Sequence, residues 1–257
     1  MDLINKVSAV MKLNDDTVLI TVASSHISAQ AKPGQFVNIK SGCPDAYLRR
    51  PISICSVDRI KGTVDLGIQA RGEGTKSLCL LEEGDPIDMM GPLGKGFSLK
   101  PEDGRIAVVG GGIGIFPLLQ LLKEHPAKHK TALLGYRNRD SVILEYEFRA
   151  ASDKLSLATD DGSYGAKGFV TALLEDVIKK DKPDRVFICG PTPMMKRCVE
   201  ICRTAGVASE VSMEQRMGCG IGACLVCACK TGEGDNWNYS HVCKDGPVFD
   251  GASVIFD

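Results

Sequence analysis

No apolar run in the 257-residue chain approaches the ~20 residues that a helix needs to span a bilayer, so a membrane-crossing helix is not expected. Neither sign of charge is in excess. The 31 Lys and Arg face 32 Asp and Glu, for a formal net charge of -1. That balance leaves no basic stripe for nucleic acid and no charged block that would read as a disordered tail. Internal repeats and low-complexity segments are missing too. The opening stretch MDLINKVSAVMKLNDD carries acidic residues where a secretion signal needs a basic start and an apolar core. The chain is therefore expected in the cytoplasm, where thiols stay reduced. Histidines are few. His26, His125, His129 and His241 stand apart from one another and read as surface or packing residues rather than as acid–base catalysts.

Cysteine, by contrast, is plentiful, with eleven in the chain. Four of them crowd into MGCGIGACLVCACK, residues 217–230. Cys219, Cys224 and Cys227 follow the spacing C-x4-C-x2-C, and Cys243 lies further on. This is the plant-type [2Fe–2S] ligand pattern. The first two cysteines flank a loop of small residues, Gly220, Gly222 and Ala223, whose backbone N–H groups can approach sulfur and stabilise a reduced, more negative cluster. Structural zinc is the main alternative. It favours paired C-x2-C knuckles, and CLVC is a knuckle without a partner pair. A third reading makes the cysteines small buried hydrophobes. Cys229 fits no plant-type position and reads as a strand residue packed beneath the cluster.

Three textures succeed one another along the chain, which predicts units at 1–99, 100–210 and 211–257. The first has short alternating runs broken by turns: TVLITVA, GQFVNIK, PISICSV, TVDLGIQ and DPIDMMGPLG. This pattern predicts a small antiparallel barrel or sandwich with one helix at TKSLCLL. In the second unit strands alternate with helices, from RIAVVGGGIGIFPLLQLLKEH to TPMMKRCVEICRTAG, which predicts a parallel sheet covered on both faces. The third carries five cysteines and little periodic pattern. It has too little core to fold unaided, so something else should hold it together.

Two further motifs point to nucleotides. In the barrel unit, RRPISICSV is followed by the strand LGIQ and by GEGTKSL opening a helix. Gly74 and Thr75 would lie at that helix's N-terminus, where free N–H groups and the helix dipole favour a pyrophosphate. An arginine from a neighbouring strand would complete the site with its planar fork. In the second unit VVGGGIGIFPL resembles the dinucleotide turn G-x-G-x-x-G, with Pro117 in place of the third glycine. A tight turn without a ligand is the alternative. The acidic residue that usually holds the ribose is not evident, and Arg137 and Arg139 are either contacts for a 2′-phosphate or simply solvated, so NAD and NADP are not distinguished. CGPTPMM places Cys189 at a strand's carboxyl end, where open α/β sheets bind ligands.

With these pieces in order, the chain resembles the ferredoxin–NAD(P) reductase superfamily. Within it, the chain is most similar to the electron-transfer subunits of type B dihydroorotate dehydrogenase. The resemblance covers essentially the whole sequence. It implies an FAD-binding β-barrel, a parallel-sheet NAD-binding domain and a small C-terminal [2Fe–2S] subdomain. It assigns Arg50, Pro51, Ile52, Ser53, Gly67, Ile68, Gln69, Gly74 and Thr75 to FAD. The NAD site would use Gly110, Gly111, Gly112, Gly114, Pro117, Cys189, Gly190 and Pro191, and the cluster Cys219, Cys224, Cys227 and Cys243. Ser53 and Cys189 are placed closest to the reacting groups. The implied partner is an FMN-containing dihydroorotate dehydrogenase catalytic subunit, assembled as a heterotetramer with two of each chain. FAD would stand between NAD, which exchanges two electrons at once, and a cluster that passes one at a time. Small subunits of NADH-dependent ferredoxin:NADP and sulfide oxidoreductases share this architecture. They typically use an aspartate for one cluster cysteine, whereas Cys219 keeps all four thiolates here. A redox-sensing binding protein without turnover is the alternative of another class, but it would not need paired FAD and NAD motifs.

Overall fold

The computed structural model describes residues 3–256. Six strands close a barrel: β1 (Ile4–Lys12), β2 (Thr17–Ala23), β3 (Phe36–Ile39), β4 (Arg50–Asp58), β5 (Thr63–Gln69) and β6 (Pro86–Leu93). Their order is β1-β2-β5-β4-β3-β6, and every pairing is antiparallel. The expected strands are all present because their side chains alternate in burial. Val18, Ile20 and Val22 of β2 meet Val64, Leu66 and Ile68 of β5 inside the barrel. Two short helices accompany the barrel, α1 (Ser25–Gln30) and α2 (Glu73–Leu78). The α2 helix begins two residues earlier than TKSLCLL suggests, because Gly72 serves as its N-cap, and it stops at Leu78.

The second unit is a seven-stranded sheet. Its strands are β7 (Arg105–Gly111), β8 (His129–Tyr136), β9 (Lys154–Thr159), β10 (Ala166–Lys167), β11 (Arg185–Cys189), β12 (Ala208–Ser212) and, from the C-terminal segment, β15 (Val248–Asp250). The order is β10-β9-β8-β7-β11-β12-β15, parallel throughout except for the antiparallel β15. Helices α3 (Phe116–Glu124) and α4 (Glu145–Ala151) cover one face. Helices α5 (Val170–Lys180) and α6 (Thr192–Ala205) cover the other. Burial on both faces explains the unbroken apolar runs of β7 and β11. Ile106 and Val108 pack to one side, Ala107 and Val109 to the other.

The C-terminal segment adds a small sheet, β14-β13-β16, from β13 (Ala228–Glu233), β14 (Asn236–His241) and β16 (Val254–Ile255). It is tied down at three places. Strand β15 extends the main sheet, pairing Val211 with Phe249. Lys95, just past the barrel, donates its N–H to the carbonyl of Gly246 and bridges Pro247. Cys227, Cys229, Val242 and Cys243 share a core with Val199 and Cys202 of α6 and with Phe36 of the barrel. The support that this segment lacks by itself is thus supplied by both larger units.

Candidate functional site

In the barrel the R-P-x-S motif opens β4, which lies beside β3 with Ser53 opposite Phe36 and Pro51 opposite Asn38. Arg50, Pro51, Ile52 and Ser53 are all half-buried. Arg50 turns its guanidinium onto the start of α2, where a Cβ built on Gly74 would lie 2.5 Å from Arg50 Nε. Only glycine leaves room for that approach, so the arginine fork and the start of α2 meet in one corner. The Arg50 Nη1 group donates to the carbonyl of Leu48, which holds the fork in place. The Thr75 hydroxyl is committed to the turn. It accepts from the N–H groups of Arg71 (2.9 Å) and Gly72 (3.1 Å) and donates to the Gly72 carbonyl (3.0 Å).

The β5 residues are divided among several tasks. Ile68 is fully buried in the barrel core. Gln69 links Asp16 (2.8 Å) with Arg71 (2.6 Å). Gly67 admits the Phe116 ring of α3, since a Cβ there would sit 2.3 Å from ring carbons. Gly67 is thereby a docking point between barrel and sheet, a role that sequence spacing does not show.

The glycine turn and the CGP motif meet at the centre of the second sheet. Gly110 is in register with Cys189 on adjacent β7 and β11. The chain runs β7-β8-β9 outward on one side and β11-β12 on the other, so the gap between β7 and β11 is the topological switch point where such sheets bind nucleotides. Gly112 has φ +54 and open space where a side chain would stand. A Cβ on Gly114 would meet the Cys189 carbonyl oxygen at 2.6 Å, and one on Gly111 the Met194 sulfur at 2.6 Å. Gly190 packs against Gly111, and Pro191 precedes α6 as its N-cap. Pro117 is buried in the first turn of α3, starting the helix. Cys189 is 2% exposed, and burial pushes its thiol well above the ordinary range, so it stays protonated. Arg137 and Arg139 are exposed beyond β8, and Arg139 lies over the Tyr164 ring at 5.8 Å.

The four cysteines of the C-x4-C-x2-C…C set come together. Cys219 Sγ accepts from the N–H groups of Ile221 (3.4 Å), Ala223 (3.3 Å) and Cys224 (3.4 Å). Cys224 Sγ accepts from Cys219 N–H at 3.3 Å. The second pair, Cys227 and Cys243, stands 3.2 Å apart between sulfurs, and Gly222 N–H reaches Cys243 Sγ at 3.1 Å. Backbone amides therefore point at sulfur, as a [2Fe–2S] loop requires. They hold the Cys219 thiol down to about 6, with the Ile221 N–H the largest contributor, while burial pushes Cys243 up to about 12. Among the described residues no three His, Cys, Asp or Glu converge as one metal ion would require. Cys229 lies on β13, buried, and its thiol is raised to about 11, first by burial. Around the loop Ile221, Leu225 and Val226 are 55%, 58% and 58% exposed. They are not packed on the chain's own sheet.

A feature with no sequence signal is Asn38 on β3. Its side chain reaches the carbonyl of Cys219, 181 positions along the chain (3.2 Å).

An antiparallel flavin barrel, a nucleotide sheet with its glycine turn at the switch point, and a cysteine loop define an NAD-linked flavin and iron–sulfur reductase. Three family models cover the chain in that order: the oxidoreductase FAD-binding domain (5–97), the oxidoreductase NAD-binding domain (108–200) and the iron–sulfur cluster binding domain of dihydroorotate dehydrogenase B (214–255). Solved structures below 25% identity share the fold. One is the cytochrome b5 reductase domain of Ulva prolifera nitrate reductase, with 19% identity, a TM-score of 0.65, and coverage of 84% of this chain and 95% of that one. A chain of the NADH-dependent reduced ferredoxin–NADP oxidoreductase aligns at TM-score 0.87 and 33% identity, over 100% of this chain and 91% of that one. The electron transfer subunit of dihydroorotate dehydrogenase B (NAD(+)) from Desulforamulus reducens is 39% identical over 98% of this chain and 97% of its own length. That from Geobacillus thermodenitrificans is 40% identical over 93% of each. The chain belongs to the family of dihydroorotate dehydrogenase B electron transfer subunits.

Proposed function

We propose that the chain carries electrons between NAD and a partner subunit that oxidises dihydroorotate on FMN, by way of FAD and a [2Fe–2S] cluster. The observation that carries the reading is the quartet Cys219, Cys224, Cys227 and Cys243. Its sulfurs face backbone amides on a loop fastened to both the flavin barrel and the nucleotide sheet. Arg50, Gly74 and Thr75 would hold the FAD pyrophosphate. Pro51, Ile52, Ser53 and the backbone of Gly67, Ile68 and Gln69 would line its ring system. Gly110, Gly111, Gly112 and Gly114, with Cys189, Gly190 and Pro191, would receive the nicotinamide nucleotide. Protonated Cys189 then serves as a small, uncharged wall rather than as a nucleophile. Bound FAD supplies the exchange between paired and single electrons. The units follow the divisions 1–99, 100–210 and 211–257, in a cytoplasmic assembly of two of each subunit. No helix among the described residues is long and apolar enough to cross a membrane.

The exposed Ile221, Leu225 and Val226 around the cluster loop suit a subunit contact. The test is to mix the purified chain with a dihydroorotate dehydrogenase catalytic subunit fully loaded with FMN. NADH should form on addition of dihydroorotate and NAD+, and the two chains should co-elute on gel filtration. Neither protein alone should couple the two substrates. Absence of both NADH and complex would contradict the reading. A second reading, a ferredoxin:NADP oxidoreductase subunit, is favoured by the full-length structural match. Cys219, where those subunits typically carry aspartate, weighs against it.

A further inference from the structure

Asn38 occupies an unusual place. It is 1% exposed, in the middle of a barrel strand, yet its side chain is directed out of the barrel fold to the cluster loop. Its backbone stands opposite Pro51 of the flavin motif and Met90 of β6. The Arg49 guanidinium holds that backbone, donating to the carbonyls of Asn38 and Asp88 (both 3.2 Å) and to the Asp88 carboxylate (3.0 Å). The amide Nδ2 donates to the Cys219 carbonyl at 3.2 Å. Oδ1 is fully buried with no hydrogen-bond partner. The reverse orientation would press the amide oxygen against the Cys219 carbonyl oxygen, so the observed one is set by the donor. A buried amide with one unused acceptor costs free energy that an apolar side chain of similar size would not. Packing alone therefore does not account for an asparagine here.

The next residue on the cluster side shows the same constraint. Gly220 has φ +74, and a Cβ there would lie 2.4 Å from Asn38 Nδ2. The glycine admits the amide, and the amide fixes the carbonyl that precedes it. Beyond that carbonyl come the N–H groups of Ile221, Ala223 and Cys224, all aimed at Cys219 Sγ.

We propose that Asn38 is a positioning residue that couples the flavin barrel to the cluster: by holding the Cys219 carbonyl it orients the amides that face the Cys219 sulfur, and so sets the cluster's reduction potential. The inference rests on the reading that these four cysteines hold a [2Fe–2S] cluster. Hydrogen bonds to cluster sulfur stabilise the reduced state, so loosening this loop lowers the potential.

The experiment uses the full chain with FAD and cluster loaded, in wild type, Asn38→Leu, Asn38→Asp and Gly220→Ala. Iron and sulfide content, FAD content, thermal unfolding and an EPR-monitored redox titration are measured. In Asn38→Leu, FAD content and unfolding should stay near wild type, because an apolar group of similar size removes the unpaired acceptor. The reduced-to-oxidised ratio of the cluster at a fixed potential should fall at least tenfold, a shift of about 59 mV for one electron. The EPR line shape should change with it. Asn38→Asp should shift further the same way, since a carboxylate adds negative charge and cannot donate. Gly220→Ala should shift in the same direction with the barrel untouched. Loss of the cluster alone, with FAD kept, also supports the proposal. Wild-type potential and spectrum in both Asn38 variants would overturn it. So would loss of FAD and of cooperative unfolding in step with the cluster, because Asn38 would then be holding the barrel. Absence of [2Fe–2S] from the wild type would instead overturn the cluster reading beneath it.

Discussion

At the scale of single residues, five cysteines in the C-terminal segment look alike in composition and differ sharply in surroundings. Cys219 is met by three backbone N–H groups, while Cys229 is a buried strand residue whose thiol is raised by burial. Serine at Cys219, Cys224, Cys227 or Cys243 should abolish or strongly alter the [2Fe–2S] EPR signal, and Cys229→Ser should leave it intact. A variant pair with the opposite behaviour, cluster lost at 229 and kept at 227, would show the ligand set to be wrong. The flavin residues separate in the same way. Arg50 meets the α2 N-terminus and Ser53 lies further along β4. Arg50→Ala should lower FAD content at limiting FAD, since a charged contact to phosphate is lost. Ser53→Ala should keep FAD and slow its reduction by NADH. The approach of Cys219, Cys224, Cys227 and Cys243 to one loop was legible from spacing, because the C-x4-C-x2-C…C pattern is compact. Asn38 was not, because its partner is brought to it only by the fold.

At the scale of elements, the strands of the barrel were readable wherever one face is buried, as in TVLITVA and TVDLGIQ. The β1 strand is hidden in the sequence: only Val7 among its nine residues is buried, so its pattern lacks a strong alternation. Strands β15 and β16 were equally hidden, being two or three residues long and stabilised by distant partners. The junction of α3 with the barrel shows how a glycine read as a flavin contact doubles as a packing site. Phe116 fills the space over Gly67. Phe116→Ala should cost about 3–5 kcal/mol by opening a cavity there. The loss is measurable by denaturant unfolding, and a cost below about 1 kcal/mol would mean the junction is loose. At the end of the same helix His125 is 2% exposed and accepts from Ala127 N–H at 3.1 Å, with Nε2 unpartnered. Burial lowers its pKa below the ordinary 6.5. The unfolded chain therefore takes up a proton that the fold resists, and stability falls as pH drops through about 6.5. His125→Leu should flatten that part of the stability-versus-pH curve in urea titrations, and an unchanged slope would contradict the assignment.

At the scale of the whole molecule, the three units are joined by polar anchors as well as by packing. The linker after the barrel is held to the sheet where Ser98 N–H donates to Glu210 at 2.9 Å and Arg185 bridges Asp103 at 2.6 Å. Arg59 and Glu124 close the other side of the junction at 2.7 Å. The cluster segment then contributes β15 to the sheet and receives Asn38 from the barrel, so flavin, nucleotide and cluster seats share one framework. Such a framework suits electron passage between fixed centres. Electrons exchanged between NAD and a cluster held by these cysteines, by way of FAD, can be driven from the NADH end in the isolated chain. The most direct measurement is anaerobic addition of NADH to the loaded full chain, followed by visible absorbance and EPR. The account predicts bleaching of both flavin and iron–sulfur bands, with the EPR signal of a single reduced [2Fe–2S] cluster per chain. Flavin bleaching with no [2Fe–2S] signal, even after chemical reduction, would contradict it.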